Sequence, residues 1–419
     1  MSEHCEITII RWYSKGIKNR REAHKPEKAE IRRCNEKQDM KKIMIITGSR
    51  GEWGYIRPIM RLIEKRKDVE AVLVVTNMHL LPAYGSSYKE IENDGFHIDY
   101  KVHMSLDGYS HVTQAKSLGI FLSSMPDIIE NEKPDWILLA GDRGEQLMGA
   151  IAAAYTYTPV AHIQAGEVSG NIDNMTRHAI GKMVHMHFAS NQDAAERLIK
   201  LGEEAFRVHN VGAPQIDEMV SAQYTELEDI EDKLCVHLQK GYLLGVMHPV
   251  TEEADKAEVQ AEIFIKALNK FHFPKVIILP NNDAGSNGVK RAIQEYREGE
   301  YYMYANLKRE DYLGLLKNAM CVVGNSSSGL LEAPTFKVPA VNIGRRQNLR
   351  FRGINVIDVP FDLDAVTTAI EKAVSGEFRE YLVRECVNPY GDGHSSERIL
   401  DLLVNTPIDQ RLLVKQLTY

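Results

Sequence analysis

The stretch KKIMIITGSRGEWGYIRPIMRLIEKR, residues 41–66, has the pattern of a buried strand, a glycine-rich turn and an amphipathic helix. Its first half is apolar and β-branched, which is typical of a strand covered on both faces. In its second half Ile56, Ile59, Met60 and Ile63 recur at helical spacing, and the charged side chains between them face water. The segment therefore predicts the first βα unit of a parallel sheet.

The same alternation of strand and helix continues along the chain. Further strands are predicted at 71–76, 136–139, 160–163 and 187–190. A polar stretch around Gly212 and Pro214 interrupts the series, and a second one begins at Tyr242. The pattern predicts an α/β protein with two doubly wound, Rossmann-like domains facing a central cleft.

This pattern also predicts where the parts of the chain begin and end. We place an extension outside the fold at residues 1–40, an N-terminal domain at 41–214, a C-terminal nucleotide-binding domain at 215–388, and a segment packing back on the first domain at 389–419. The extension carries ten basic and seven acidic side chains. It is interpreted either as a flexible extension or as the product of a start codon assigned too far upstream, in which case the protein begins at Met40.

Composition excludes several classes of protein. Of the 419 residues 44% are hydrophobic and 26% are charged, which is typical of globular proteins, and the net charge of −7 argues against a general nucleic-acid-binding surface. Apolar runs are too short for a signal peptide or a membrane span. The five cysteines lack metal-ligand spacing, so we interpret them as reduced thiols of a cytoplasmic protein.

Polar motifs follow the predicted strands, which is where ligands bind in sheets of this kind. After the first strand, TGSRGE brings Arg50 and Gly51 to a loop that could either meet an anion or simply turn the chain. Later, LLAGDRGEQ brings Asp142 and Arg143, which need a wet cleft or a charged partner because burying a lone charge is costly. An ion pair between these two side chains would be enough to explain them.

HIQAGEVSGNIDNMTRHAIGK, residues 162–182, crowds ionisable side chains behind another strand, including Glu167, Asp173 and Arg177. Asp173 and Arg177 share a helix face and could form a simple intrahelical pair. Ionisable groups concentrated at one strand end indicate a site more often than an ordinary surface.

The second half of the chain repeats this placement. MHP ends a strand with His248, a candidate general acid or base because carboxylates are predicted opposite it. In LPNNDAGS, Asn281 and Asp283 follow the next strand. These residues are therefore expected at the same cleft.

CVVGNSSSGLLE, residues 321–332, is the strongest local signal. Its serines, Ser326 and Ser327 among them, open a helix with more hydroxyl donors than a cap requires, which suits phosphate oxygens. Glu332 can accept from sugar hydroxyls, and Arg346, after another strand, can neutralise a diphosphate. The sum predicts a site for a nucleotide-diphosphate sugar.

Together these motifs resemble the hydrolysing UDP-N-acetylglucosamine 2-epimerases of sialic-acid-type biosynthesis. The resemblance is carried by TGSRGEWGYIRPIM, LAGDRGE, HIQAGEVSG, MHPVTEE, GNSSSGLLE and GRRQN, and it extends from residue 42 to about 403. It implies a glycosyltransferase-B-like pair of domains, assembled as a homodimer or homotetramer. The implied reaction removes the C2 proton of UDP-N-acetylglucosamine, eliminates UDP to give 2-acetamidoglucal, and adds water to release N-acetylmannosamine.

The resemblance also implies roles for individual residues. It makes Asp142 the first acid–base candidate, with Arg143 beside it, and places His248 at the phosphates or in a proton relay. Asp173 and Arg177 resemble sugar-side contacts. The positions that match substrate contacts or cleft residues are Arg50, Gly51, His79, Asn281, Asp283, Ser326, Ser327, Glu332 and Arg346.

One position departs from the family pattern. Where relatives commonly read HIEGGEVSG, with the first Glu as a catalytic carboxylate, this chain has Gln164, and a neutral amide cannot exchange a proton near neutral pH. Either Glu167 takes that role, or Gln164 marks a branch acting on UDP- or GDP-linked N,N′-diacetylbacillosamine.

Two other classes of protein remain as alternatives. A glycosyltransferase of the same fold would need an acceptor surface, and a non-catalytic sensor would not need so many ionisable side chains at strand ends. We expect the partners to be a nucleotide sugar and water, with no nucleic acid, no membrane, no organic cofactor and no metal.

Overall fold

The computed structural model describes residues 40–82, 85–107, 111–168, 172–221, 224–280, 285–305 and 307–418. Within these ranges the strands form two parallel sheets of seven and six strands. The predicted α/β architecture of two doubly wound domains is confirmed. The prediction for the extension at residues 1–40 falls, apart from Met40, outside the described residues.

The first sheet has the strand order β3-β2-β1-β4-β5-β6-β7. Its strands are β1 (Lys41–Thr47), β2 (Val69–Thr76), β3 (Tyr100–Val102), β4 (Trp136–Ala140), β5 (Val160–Ile163), β6 (Met186–Ala189) and β7 (Val208–Asn210). The apolar run 43–46 of β1 is fully buried because helices cover both faces of the sheet. The strand order reverses between β1 and β4, so their loops open a crevice at the carboxyl edge.

The second sheet has the order β10-β9-β8-β11-β12-β13. Its strands are β8 (Leu243–Val246), β9 (Lys275–Ile278), β10 (Tyr301–Tyr304), β11 (Cys321–Gly324), β12 (Ala340–Ile343) and β13 (Val356–Val359). Here the order reverses between β8 and β11, which pair directly. This second crevice holds the MHP and serine-rich loops.

Helices connect the strands in the alternating pattern that the sequence predicts. In the first half they are α1 (Arg50–Ile63), α2 (Tyr88–Asn93), α3 (His111–Glu132), α4 (Gly144–Tyr155), α5 (Ile172–Met183) and α6 (Gln192–Lys200). Next come α7 (Gln215–Val220) and α8 (Leu227–Leu234), whose Ile216, Met219 and Ile230 pack in the same core as β8. In the second half they are α9 (Ala257–Asn269), α10 (Ser286–Tyr296), α11 (Arg309–Asn318), α12 (Ser328–Leu331), α13 (Leu363–Val374), α14 (Gly376–Glu385), α15 (Ser395–Asn405) and α16 (Gln410–Leu413). Among the described residues, no helix is both long and apolar enough to cross a membrane.

The last helices pack on the first sheet's core. In α15, Ile399, Leu400 and Leu403 join the cluster that contains Ile43 of β1 and Ile56 of α1. The carboxylate of Asp217 accepts hydrogen bonds from the Ser395 and Ser396 backbone N–H groups (3.0 and 2.7 Å), which fixes the start of α15. The C-terminal segment is therefore built into the first half of the fold.

A buried arginine and a buried glutamate hold this segment further. The fully buried Arg207 guanidinium donates to the carbonyl oxygens of Arg411, Leu412 and Val414. Lys415 Nζ lies 2.6 Å from Glu203 Oε2. These contacts join residues about 200 positions apart, so the chain's end is fixed by specific bonds as well as by apolar packing.

Candidate functional site

A cavity of about 350 Å³ lies where the loops after β1, β4 and β5 meet the loops after β11 and β12. Its lining residues are Ser49, Gly51, Glu52, Tyr55, Gly141, Asp142, Arg143, Gln164, Glu167, Arg177, Ser327, Leu331, Arg346 and Arg350. Every contributing loop follows the carboxyl end of a strand. The cavity volume is within the range of ligand pockets, and its lining is rich in charges.

An ion pair between Asp142 and Arg177 forms the centre of the first-sheet side. Arg177 Nη2 donates to Asp142 Oδ2, while Arg177 Nη1 donates to the Gln164 carbonyl oxygen at 2.8 Å. The Arg177 side chain is buried, whereas the Asp142 carboxylate keeps some exposure to the cavity. Arg177 therefore fixes the position of the Asp142 carboxylate at the cavity.

The predicted alternative of an Asp142–Arg143 pair is wrong, because Arg143 bonds elsewhere. Its Nε donates to Oε1 of the buried Glu145 at 3.2 Å. Asn77 Nδ2 donates to the same carboxylate at 3.0 Å. The two neighbouring charges thus have separate partners, and Asp142 is left to Arg177.

Glu52, in the first turn of α1, lines the cavity although it is only 3% exposed. Its Oε2 accepts from the Gly48 N–H, and its own N–H donates to the Ser49 hydroxyl at 3.5 Å. Burial and then the negative charge of Glu145 raise the pKa of Glu52 well above its usual range.

Glu167 and Tyr55 lie on the same side of the cavity. Asn191 Nδ2 donates to Glu167 Oε1 at 2.7 Å, and burial raises the pKa of this carboxyl while Arg177 opposes the rise. Burial likewise raises the pKa of the Tyr55 phenol. Gln164 has the unusual φ of 60°, which turns the chain beside Arg177.

Asn325 joins the two loops of the second sheet. Its amide oxygen accepts from the His248 N–H and its amide nitrogen donates to the His248 carbonyl oxygen, both at 2.8 Å. Gly324 before it has a φ of 138°, and a Cβ there would collide with the Val246 carbonyl group. Glycine is required because the two loops approach so closely.

The predicted phosphate-binding residues separate into two groups. Ser327 and Arg346 line the cavity, and Arg346 Nη1 also donates to the Asn325 carbonyl oxygen at 3.1 Å. Ser326 instead accepts from the Ser328 N–H at 3.3 Å, a contact at the start of α12. His248 is half-buried at the loop that Asn325 holds, outside the cavity lining.

A second cavity, of about 670 Å³, lies on the other side of α1. It is lined by Arg50, Trp53 and Arg57 from α1, and by residues from the second sheet's loops that include Ile278, Leu307, Arg309 and Tyr312. Arg309 Nη1 lies 2.7 Å from Glu332 Oε1, and Ser328 donates to Glu332 Oε2. Glu332 is therefore paired on both oxygens at the edge of this cavity, and Arg50 bonds Glu90 at 2.6 Å.

His79 is not brought to either cavity. It is fully buried beneath the first loop, with Nε2 3.0 Å from the Thr47 hydroxyl and Nδ1 2.8 Å from the Ser87 hydroxyl. Burial lowers the pKa of His79 to about 4. This arrangement supports the loop and leaves no ring nitrogen for a substrate, so the predicted contact is corrected to a structural role.

Three predicted site residues cannot be placed. Asn281 and Asp283 lie outside the described residues, and for Asp173 only its position in α5 is described. The sequence reasoning missed Glu52, Tyr55 and the Arg309–Glu332 pair. The only signal for Glu52 was the spacing Ser49-x-x-Glu52, which is typical of a helix cap and therefore predicts a structural role and not a catalytic one.

Comparison with known proteins identifies the family. The family model described as UDP-N-acetylglucosamine 2-epimerase matches residues 61–404. The chain belongs to the UDP-N-acetylglucosamine 2-epimerase family. This nucleotide-sugar epimerase is 35% identical over 377 residues to the UDP-N,N′-diacetylbacillosamine 2-epimerase (hydrolyzing) of Legionella pneumophila, covering 90% of this chain and 99% of that one.

Another relative is the UDP-N-acetylglucosamine 2-epimerase of Neisseria meningitidis, 33% identical over 367 residues and covering 87% of this epimerase and 96% of that protein. A crystal structure of a Neisseria meningitidis UDP-GlcNAc 2-epimerase bound to UDP-GlcNAc superposes with a TM-score of 0.74 at 18% identity, covering 87% of this chain and all of that one. This likeness confirms the fold of the epimerase.

Proposed function

We propose that this chain is a hydrolysing nucleotide-sugar 2-epimerase that converts UDP-N-acetylglucosamine and water to N-acetylmannosamine and UDP. The observation that carries the proposal is the cavity between the two sheets, where the Asp142–Arg177 pair faces Ser327 and Arg346. It combines a held carboxylate with donors for a leaving diphosphate, and elimination requires both.

The first step needs a base for the weakly acidic C2 proton. Asp142 is proposed for this task because Arg177 holds its carboxylate in place, with part of it open to the cavity. As the C2–H bond breaks, its electrons form the C1–C2 double bond, and the C1–O bond to the diphosphate breaks. Arg143 and Glu167 are proposed to hold the sugar beside it.

The second half of the site is proposed to stabilise the departing charge. Ser327 and Arg346 contribute a hydroxyl and a guanidinium, and Arg350 adds a further cation to the lining. Charged donors to phosphate oxygens form strong hydrogen bonds, and they act where negative charge accumulates in the transition state. Arg177 and Gln164 remain proposed sugar contacts.

The nucleoside is proposed to occupy the second cavity, of about 670 Å³, on the other side of α1. Leu307, Ile278 and Tyr312 offer apolar surface for a base, and Arg50 connects this cavity with the first loop. Glu332 would then contact the ribose in place of part of its ion pair with Arg309. His248, at the loop clamped by Asn325, is proposed to reach the phosphates on closure.

Gln164 favours a second candidate substrate. A neutral side chain replaces the family carboxylate in the cavity, and relatives named for diacetylbacillosamine include the Legionella protein and a Campylobacter jejuni GDP/UDP-N,N′-diacetylbacillosamine 2-epimerase (hydrolyzing) at 34% identity. The alternative is therefore a hydrolysing 2-epimerase of UDP- or GDP-N,N′-diacetylbacillosamine. A homodimer or homotetramer is proposed for either substrate.

Nucleotide release from purified protein tests the function. The enzyme is mixed separately with UDP-N-acetylglucosamine and with UDP- and GDP-diacetylbacillosamine, and both the nucleotide and the free sugar are measured. Rapid turnover of the first alone contradicts the branch indicated by Gln164. Transfer of sugar to an added acceptor in preference to water would instead identify a glycosyltransferase, and absence of release from every substrate would overturn the proposed function.

A further inference from the structure

Glu52 is held in a way that helix capping does not explain. A capping carboxylate needs one accepting oxygen, and Glu52 Oε2 fills that role at the Gly48 N–H. The other oxygen, Oε1, is buried without a hydrogen-bond partner among the described residues, although the side chain lines the cavity. An ionised carboxylate in that state would be costly, so this geometry favours a neutral carboxyl with its proton on Oε1.

Burial and the nearby Glu145 carboxylate act in the same direction, whereas the Gly48 N–H, the Arg143 guanidinium and the Gln146 amide oppose them. Glu145 packs against the other side of Gly48, where an added Cβ would collide with its carboxyl group. Glu145 has Asn77 and Arg143 as donors, and its nearby carboxylate disfavours a negative charge on Glu52. The other titratable and charged groups that line the cavity are Tyr55, Asp142, Arg143, Glu167, Arg177, Arg346 and Arg350.

Epimerisation at C2 needs a second acid–base group. Inversion requires that the new proton arrives on the face opposite the one from which the old proton left, so one fixed carboxylate cannot serve both steps. Asp142 comes from the loop after β4, whereas Glu52 comes from α1. Arg177 bonds the Asp142 carboxylate, whereas Glu52 Oε1 has no hydrogen-bond partner among the described residues. Gln164 cannot supply the missing proton because its amide does not titrate.

We propose that Glu52 is a further catalytic residue, whose Oε1 proton is delivered to C2 in the water-addition step. This inference rests on the proposed function. The π electrons of the glycal form the new C2–H bond with the Glu52 proton, and a water oxygen bonds to C1. That water gives one proton back to Glu52, and the proton captured by Asp142 leaves to solvent, so the sum is addition of H and OH from water.

The test separates the two steps with the full-length variant Glu52→Gln. An amide still accepts from the Gly48 N–H, so the cap is kept while the transferable proton is lost. In a single turnover of the best nucleotide sugar, we expect nucleotide release within about threefold of wild type. Sugar formation slows by about 10²- to 10⁴-fold, the usual contribution of a general acid, and the glycal accumulates.

A second measurement starts from the glycal. Wild-type enzyme with glycal and UDP in D₂O is expected to form the sugar with deuterium at C2, and Glu52→Gln is expected not to. Sugar formation at the wild-type rate in Glu52→Gln, or an equal loss of both steps without glycal, overturns the inference. If wild-type enzyme releases no nucleotide, the proposed function itself has failed, which is a distinct result.

Glu145→Gln is the matched variant, and it remains informative if Glu52→Gln does not fold. Removing the neighbouring negative charge makes Glu52 easier to ionise. The alkaline limb of the pH profile for glycal hydration, where activity is lost as Glu52 loses its proton, is expected to move to lower pH. An unchanged limb in a folded Glu145→Gln protein contradicts the role given to Glu52.

Discussion

Glu203 and Glu52 are both almost fully buried, yet their surroundings differ completely. Glu203 is 1% exposed and accepts from His187 Nε2 at 3.0 Å, Lys182 Nζ at 2.7 Å and Lys415 Nζ at 2.6 Å. Burial would raise its pKa, but the hydrogen bond from His187 and the two lysines lower it to about 2. Glu52 has one backbone donor and a neighbouring carboxylate, and its pKa is raised.

The difference teaches that partners, and not depth, decide what a buried carboxylate can do. A glutamate that accepts hydrogen bonds on both oxygens is ionised and has no proton to transfer. Its charge stabilises the fold only while all of its donors are in place. A buried glutamate without such donors keeps its proton and can donate it in a reaction. The comparison therefore predicts that cavity carboxyl groups affect turnover, whereas the Glu203 network affects stability.

The largest expected effect is on catalysis. Asp142→Asn keeps the shape of the side chain but removes the proposed base, so kcat is expected to fall by about 10²- to 10⁴-fold. The Kd for UDP should stay near wild type, whereas the melting temperature should fall, because the buried Arg177 guanidinium loses its charged partner and keeps only the Gln164 carbonyl oxygen. Steady-state nucleotide release and UDP titration check this, and undiminished kcat would remove Asp142 from the mechanism.

Breaking the Glu203 network should have the opposite profile. Glu203→Gln leaves Lys415 and His187 without their charged partner, which is expected to lower the free energy of unfolding by about 3–5 kcal/mol. The matched control is Glu262→Gln, at an exposed pair with Lys266, with an expected loss of about 0.5 kcal/mol or less. Chemical denaturation measures both, and equal losses would show that burial adds nothing to the network.

Acid sensitivity sharpens the comparison further. Burial lowers the pKa of His79 to about 4, below the ordinary value of 6.5, so the folded state resists protonation that the unfolded chain accepts. The stabilisation is complete above pH 6.5 and is lost as pH falls toward 4, by up to about 3 kcal/mol. Unfolding measured between pH 7 and 4 should show this slope together with those of His162, His185 and His187, whose pKa values burial also lowers, and His79→Gln should remove only the share of His79. Glu203 adds its own loss only below its ordinary pKa of 4.5.

The smallest effect concerns a neutral donor. Ser327→Ala removes one hydroxyl from the second-domain side of the cavity, which is expected to weaken UDP binding by about 2- to 10-fold, the usual value of one uncharged hydrogen bond. Isothermal titration with UDP measures the change. Ser326→Ala is the control because its hydroxyl serves the helix start, and a larger loss there would reverse the assignment of the two serines.

Much of the fold was predictable because parallel strands buried on both faces leave continuous apolar runs such as 43–46. The strand predicted at 187–190 lies at Met186–Ala189, a shift of one residue that no local pattern marks. Asp142, Glu167, Arg177, Ser327 and Arg346 were predicted from their positions after strands, and Gln164 was noted as a departure from the family motif; all six line one cavity.

The errors arose from contacts between distant parts of the chain. His79 lies in a polar motif, but its role depends on hydroxyls from Thr47 and Ser87 that no sequence spacing reveals. Asp142 and Arg143 are adjacent in sequence and point to different partners. The unpartnered oxygen of Glu52 is likewise a product of packing, which composition and periodicity do not record.

The return of the C-terminal helix to the first sheet has a consequence for how the protein is made. Until residues 395–414 leave the ribosome, the apolar surface around Ile56 lacks the cover of α15, and Arg207 lacks the carbonyl groups it binds. The core of the first sheet therefore stays incompletely covered while the second sheet is synthesised. Apolar surface that is exposed during this time favours aggregation. Emergence of residues 395–414 is therefore the step that completes the packing of the first sheet's core.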